Sequence, residues 1–134
     1  MELLKTPDPR LARLNEPHVA PLTRLVDDLR NRDLHVPNVD PNDGGVDAKA
    51  LFLLESPGPR AVGTFFISRD NPDPSARNMG CLLDGAGFAR QEVFGWNVGP
   101  YCVSTVDQKR NASRGQMREA VSETQRWIDA RKGR

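Results

Sequence analysis

Cysteine and histidine are scarce in this sequence, which has two of each among 134 residues. Cys81 and Cys102 show no CxxC or His-Cys spacing, and His18 and His35 are equally isolated. A zinc site or an iron–sulfur cluster needs several such ligands held together. The sequence therefore predicts no metal site and no Cys–His catalytic pair. We expect two reduced thiols, with a disulfide between them as the alternative.

Long apolar runs are absent as well. No segment approaches the roughly 20 apolar residues that a membrane-spanning helix requires, and the mean hydropathy is −0.59. Residues 1–20 contain acids and prolines in place of the apolar core of a secretory signal. A hydrophobic content of 37% and a charged content of 28% are typical of a globular domain. We therefore expect one soluble domain over residues 1–134, cytoplasmic and without membrane contact.

Net charge is only +1, but the charges are unevenly distributed. Residues 107–134 carry eight basic and four acidic side chains, so this region is positive and the rest is negative. A basic end can steer a protein towards phosphate groups. The same side chains also suit a solvated helix face, and charge alone leaves both interpretations open.

Hydrophobic periodicity and turn residues predict an alternation of helices and strands. The predicted order is an irregular segment 1–18, a helix 20–32, a loop 33–48, a strand 49–55, a short extended piece 61–68, a helix from 74 to about 85–87, a strand 92–98 and a C-terminal helix 113–131. Such alternation favours an α/β fold, here a three-layer sandwich with a short, mostly parallel sheet. The strand at 49–55 is almost entirely apolar, which predicts a central strand buried on both faces.

Polar residues follow both predicted strands. Glu55 begins the segment Glu-Ser-Pro-Gly, and Asn97 begins Asn-Val-Gly-Pro-Tyr. Parallel sheets bind ligands beyond the carboxyl ends of their strands. An amide offers one donor and one acceptor group, and a carboxylate can hold a water, so the pair suits a planar heterocycle. In the alternative, structural interpretation, Glu55 caps a loop and Asn97 forms a turn.

These segments resemble the motifs of a known family. Leu54-Glu55-Ser56-Pro57-Gly58 resembles the Glu-Ala-Pro-Gly motif of bacterial uracil-DNA glycosylases of the iron–sulfur type, and residues 96–101 resemble their Asn-Val-Val strand end. Residues 65–68 are similar to their Phe-Val-Gly segment, and residues 81–87 to their Leu-Leu-Asp helix ending in Ala-Gly. The resemblance covers roughly residues 50–105, within a motif-bearing core at 49–105.

The resemblance implies a uracil-DNA glycosylase-like fold and a monofunctional DNA glycosylase of base excision repair. Such an enzyme flips uracil out of single- or double-stranded DNA and hydrolyses its N-glycosidic bond without a cofactor. The implied catalytic residue is Glu55, which would position or activate water. The implied substrate-binding residues are Ser56, Pro57 and Gly58 at the pocket floor, Phe66 stacking on the base, and Asn97 reading the uracil edge.

Two departures from the family pattern shape the expectation. The cluster cysteines are absent, and nothing after residue 105 matches the family's final apolar strand and His-Pro-Ser loop. The resemblance therefore implies a C-terminally truncated form, with an open sheet edge at which a homo-oligomer could pair. One alternative is a catalytically inactive or fragmentary module that binds a base or DNA. Another is an unrelated α/β binding domain, in which Glu55 and Asn97 would not face a common cleft.

Overall fold

A computed structural model describes residues 6–31, 35–55 and 57–98 and, in the C-terminal region, residues 114, 115, 118, 121, 122, 124–126 and 129. Its elements are α1 (Ala20–Arg30), β1 (Asn38–Val39), β2 (Ala50–Leu54), α2 (Pro59–Thr64), β3 (Phe66–Ile67), α3 (Pro74–Gly85) and β4 (Val93–Asn97). Short 3-10 turns occupy Pro9–Arg13, Gly45–Asp47 and Arg90–Glu92. The described positions from 114 to 129 are helical. These elements confirm a mixed α/β architecture.

The strands form two parallel pairs. β1 pairs with β3, with Asn38 opposite Phe66. β2 pairs with β4 over five positions, from Ala50 opposite Val93 to Leu54 opposite Asn97. Parallel neighbours need a crossover connection, and helices lie between the paired strands in the chain. The predicted parallel arrangement is therefore confirmed for both of the long strands.

The core forms where α1 packs against the strands. Leu22, Val26 and Leu29 recur at helical spacing and are all fully buried. They belong to one hydrophobic cluster, whose other buried members are Val19, Val36, Val39, Ala48, Ile67, Phe94 and Trp96. Trp96 also donates its indole N–H to Thr124 Oγ1 at 3.2 Å, which ties the C-terminal helical region to β4.

Helix α3 begins where the sequence predicts. The Asp73 side chain accepts a hydrogen bond from the Ala76 N–H at 2.8 Å, and Pro74 follows it at the first helical position. The apolar residues of this segment predict a buried helix face that includes Leu82, Leu83 and Ala86. Leu83 is buried, but Leu82 is 70% exposed, which contradicts that prediction. Successive helical residues point about 100° apart, and α3 is oriented so that Leu83 faces the core and Leu82 faces away from it. Ala86 is likewise exposed rather than buried, and the thiol of Cys81 on α3 is free and exposed.

Two predicted segments were partly wrong. Of residues 61–68, predicted as extended, positions 61–64 belong to the helix α2, and only Phe66–Ile67 form a strand, β3. Gly58 and Pro59 begin this helix, since proline is well suited to the first helical turn. The helix closes with Phe65 in the left-handed region, where its N–H donates to Ala61 O at 2.9 Å. The loop predicted at 33–48 in fact contains β1 and a 3-10 turn.

β2 is also less buried than its apolar sequence predicts. Leu53 is 50% exposed and Leu54 is 38% exposed, whereas β4 is buried at four of five positions. Within the described ranges β2 pairs only with β4, so its other edge is unpaired. The prediction of a central strand covered on both faces is therefore wrong for β2. None of the helices in the described part of the chain has the length and apolarity to cross a membrane.

Candidate functional site

A cavity of about 600 Å³ is bounded by the β2–β4 pair, α3 and the loops at their ends. Side chains alternate along a strand, so one face of each strand contributes to its wall. Phe52 and Leu54 of β2 and Val93, Gly95 and Asn97 of β4 follow this alternation, and Phe94 of β4 and Ile67 of β3 also line the cavity. Its volume lies within the roughly 300–1,000 Å³ that is usual for small-molecule sites. The cavity is therefore large enough for a nucleobase-sized ligand.

Strand register brings the two sequence motifs together at one end of this cavity. Leu54 lies opposite Asn97, and the Val98 N–H donates to Leu54 O at 2.8 Å. Asn97 is only 2% exposed and lines the cavity. Pro57 and Gly58, from the segment after β2, also line the cavity. Three of the six predicted site residues thus share one cavity wall.

The other predicted site residues that the structure describes do not line the cavity. Glu55 follows β2 at the same sheet edge, but it is exposed and does not belong to the cavity lining among the described residues. Phe66 is fully buried, and the guanidinium carbon of Arg10 lies 4.0 Å from the centre of its ring. That distance is typical of a cation–π contact, so Arg10 covers one face of this ring. Ser56 lies outside the described residues.

A buried ionic network adjoins the cavity, and the sequence did not predict it. Asp40 is fully buried and accepts hydrogen bonds from Arg10 Nη1 and Arg90 Nη2, each at 3.0 Å. It also accepts from the Ser68 hydroxyl and from the Asn42 N–H. One carboxylate thereby joins the N-terminal segment, the loop after β1, the loop after β3 and the turn before β4. The network fixes the relative positions of four chain segments around the site.

Asp43 extends this network to the cavity wall. Its Oδ1 accepts from Arg90 Nε at 2.9 Å, and the residue lines the cavity although only 8% of it is exposed. Burial, and after it the charge of Asp40, raise the pKa of Asp43, while Arg90 and Arg69 lower it, and the net result is a pKa of about 6. Near neutral pH, Asp43 can therefore exist in either protonation state.

We expect the Asp43→Asn variant to lose a pH dependence of stability that the native protein has. A carboxyl whose folded-state pKa is raised contributes stability fully below its unfolded pKa, near 3.8, and loses it as pH rises through about 6. At 1.36 kcal/mol per pKa unit, the unfolding free energy should fall by up to about 3 kcal/mol across this window. Urea unfolding of both proteins at pH 4 and pH 7 measures the difference.

The other carboxyl groups are present in both proteins, so their contribution to the pH dependence of the unfolding free energy cancels in the difference. Asp70→Asn is the control because Asp70 also binds Arg90, at 2.8 Å, but its side chain is 53% exposed. A stability difference between Asp43→Asn and the native protein that stays constant from pH 4 to pH 7 would contradict the raised pKa.

Asp40, Asp43 and Arg90 were missed because no sequence pattern links them. Arg90 lies 50 positions from Asp40 in the sequence. Asp40 and Asp43 belong to a segment rich in Pro, Asn and Gly, which predicts only a loop. The one available signal was the number of carboxylates in this loop, directly after the apolar residues Val36 and Val39. That signal does not identify a partner.

Comparison with protein-family models, with curated proteins and with solved structures finds no match for this chain. The arrangement of its own residues is therefore the basis for assigning a function.

Proposed function

We propose that the cavity binds a uracil base extruded from DNA, in a uracil-DNA glycosylase-like fold that hydrolyses the N-glycosidic bond. One observation carries this proposal: the segments that follow two neighbouring parallel strands meet at one cavity. Asn97 contributes an amide there, and Pro57 and Gly58 contribute the adjoining wall. A mostly apolar cavity with a few polar groups is the usual form of a site for a planar ligand.

The proposed roles follow from chemistry and position. The Asn97 amide has one donor and one acceptor, which match the O4 and N3–H groups on the edge of uracil. Pro57 and Gly58, with the adjoining Ser56, would form the floor under the base. Glu55 is exposed and outside the cavity lining, so its side chain would have to turn towards the cavity to position or activate the water that attacks the sugar. Phe66 is fully buried and does not line the cavity, so stacking of the base on it would require the Arg10 guanidinium to move off the ring and the ring to become part of the cavity wall.

DNA is the proposed partner, and exposed arginines support it. Arg114, Arg118 and Arg126 are exposed on the described part of the C-terminal helix. Guanidinium groups bind phosphates well, and phosphate contacts make affinity fall with salt concentration. Affinity for a uracil-containing oligonucleotide should therefore weaken as salt increases.

Uracil release tests the proposed reaction directly. A labelled oligonucleotide with one deoxyuridine is incubated with the native protein, with Glu55→Gln and with Glu16→Gln, and is then cleaved with alkali. We expect release by the native protein and a loss of about 10²–10⁴-fold in Glu55→Gln, the usual contribution of general acid–base groups. Glu16→Gln is the control, since Glu16 pairs with Arg13 and is absent from the cavity lining.

If the folded native protein releases no uracil, the proposed enzymatic activity is wrong. Glu55 is exposed and outside the cavity lining, whereas Asn97 lines it, so the two residues do not face a common cleft. This arrangement favours a second candidate that does not use Glu55 for catalysis, either an inactive module that binds a base or DNA or an unrelated α/β binding domain. Deoxyuridine binding, measured by calorimetry, then separates this module from a protein that does not bind nucleobases.

Gly95 offers a way to block the cavity without disturbing the fold. A Cβ at this position would lie 3.8 Å from Leu54 Cδ1 and 3.9 Å from Ile67 Cγ2, which are ordinary contact distances. Gly95→Ala should therefore fold and bind deoxyuridine nearly as the native protein does. Gly95 lines the cavity, and the longer side chain of Gly95→Leu should fill part of it. We therefore expect this variant to bind deoxyuridine at least tenfold more weakly than the native protein. Equal binding by Gly95→Leu and Gly95→Ala would place the ligand elsewhere.

A further inference from the structure

The cavity runs along the length of β4 and has a second polar end. Val93, Gly95 and Asn97 all line it, which places Asn97 at one end and Val93 at the other. Four strand steps of about 3.3 Å separate these residues by roughly 13 Å. Asp43 lies at the Val93 end, because the N–H of the next residue, Gly44, donates to Val93 O at 2.9 Å.

This second end holds an acceptor and a donor. Asp43 uses Oδ1 for Arg90, and its carboxylate lines the cavity. Arg69 also lines the cavity, and its charge lowers the pKa of Asp43, so the two side chains lie near each other. Its side chain is 11% exposed, Nη1 pairs with Asp84 Oδ1 at 3.3 Å, and Nη2 is buried without a hydrogen-bond partner in the described ranges, which is unusual in a folded protein. A small movement of this side chain would let a ligand oxygen supply the partner that Nη2 lacks.

The distance between the two ends exceeds what one pyrimidine ring can span. A uracil whose edge is read by Asn97 leaves the Val93 end of the cavity open. Between the ends the wall is apolar, formed by Phe52, Leu54 and Ile67 around Gly95. Such a wall suits the face of a second ring.

We propose that Asp43 and Arg69 bind the nucleobase next to the uracil and select a base that bears an amino group, with guanine preferred. The inference rests on the proposed binding of uracil at Asn97. A carboxylate accepts hydrogen bonds from amino and ring N–H groups, and a guanidinium donates to ring carbonyl oxygens. Guanine presents N1–H, the 2-amino group and O6 on one edge, whereas thymine has no amino group.

Binding of short ligands tests this selection. Deoxyuridine and the dinucleotides d(UpG), d(GpU), d(UpT) and d(TpU) are titrated at pH 7.5 into the native protein, Asp43→Asn and Asp70→Asn. We expect one of the guanine dinucleotides to bind the native protein about tenfold more tightly than its thymine counterpart, as expected for a well-formed contact to a base edge. Asp43→Asn should lower this preference to about twofold or less, while deoxyuridine affinity stays unchanged.

Asp70→Asn keeps the preference in this scheme, because Asp70 contacts the same Arg90 but does not line the cavity. The preference should also weaken at pH 5, where Asp43 is protonated. The charged groups that act on Asp43 are Asp40, Arg90 and Arg69, and burial outweighs the two arginines. The pH profile of Asp43→Asn should be flat in comparison.

The possible failures can be told apart. Equal affinity of the native protein for guanine and thymine dinucleotides, or an unchanged preference in Asp43→Asn, overturns the second base site and leaves uracil binding intact. No binding of deoxyuridine to the native protein overturns the proposed function instead. A guanine preference that disappears in Asp70→Asn as well would assign the effect to Arg90 and overturn the role of Asp43.

Discussion

Replacing Asp40 with asparagine should destabilise the protein by about 3–5 kcal/mol, the usual cost of breaking a buried ion pair by removing one partner. Asp40 has no solvent exposure, while the side chains of Arg10 and Arg90 are 15% and 24% exposed. Asparagine keeps the shape of the side chain but leaves both guanidinium groups without this counter-charge. Small domains have an unfolding free energy of about 5–15 kcal/mol, so the loss would remove a large share of it.

Urea unfolding followed by circular dichroism measures this cost. Asp70→Asn is the matched control, since it removes a carboxylate from the same Arg90 at 2.8 Å but at a position that is 53% exposed. Exposed pairs contribute about 0–1 kcal/mol, so the control should unfold almost as the native protein does. A loss in Asp40→Asn no larger than in Asp70→Asn would show that the buried network contributes little.

Gly45→Ala is expected to have the second large effect, about 2–5 kcal/mol of lost stability. Gly45 has a φ of +54°, in the left-handed region that costs other residues roughly 1–2 kcal/mol. A Cβ here would also lie 2.0 Å from the backbone oxygen of His18, an overlap that requires the backbone to move. Overpacking of this kind typically costs a further 1–3 kcal/mol.

The backbone around Gly45 cannot move easily to relieve this overlap. The same His18 oxygen accepts the Val46 N–H at 2.8 Å, so moving it disturbs the contact between the start of α1 and the turn before β2. Gly85→Ala is the control, because nothing lies within 4 Å of a Cβ at that helical position. Thermal unfolding should place Gly85→Ala at or slightly above the native Tm and Gly45→Ala well below it. Similar Tm values for the two variants would refute the close contact.

Local signals in the sequence account for most of what was predicted correctly. The buried face of α1 is visible as the spacing of Leu22, Val26 and Leu29, and the start of α3 as Asp73 before Pro74. The carboxyl ends of β2 and β4 were located because apolar runs stop there at polar residues. Each of these signals depends only on residues that are close in the chain, where backbone geometry alone determines which side chains share a face.

The errors arise where distant segments compete for the same space. The apolar residues of β2 predicted a central strand, yet Leu53 is half exposed, whereas the neighbouring strand β4 is buried at four of five positions. Val62, Thr64 and Phe65 favour extended structure, yet Pro59 begins a helix there. Propensity is a weak determinant that tertiary context overrides.

The sequence by itself determined that parallel strands would bring the segments after Leu54 and Asn97 to one sheet edge, since that follows from apolar runs and their ends. Only the tertiary structure decided which acidic residues would line the cavity. Glu55, within the motif, is exposed to solvent, whereas Asp43 is held in the wall by Arg90 from 47 positions away. Such a pairing depends on how the strands and loops pack in three dimensions, and burial then sets the pKa of the carboxyl group.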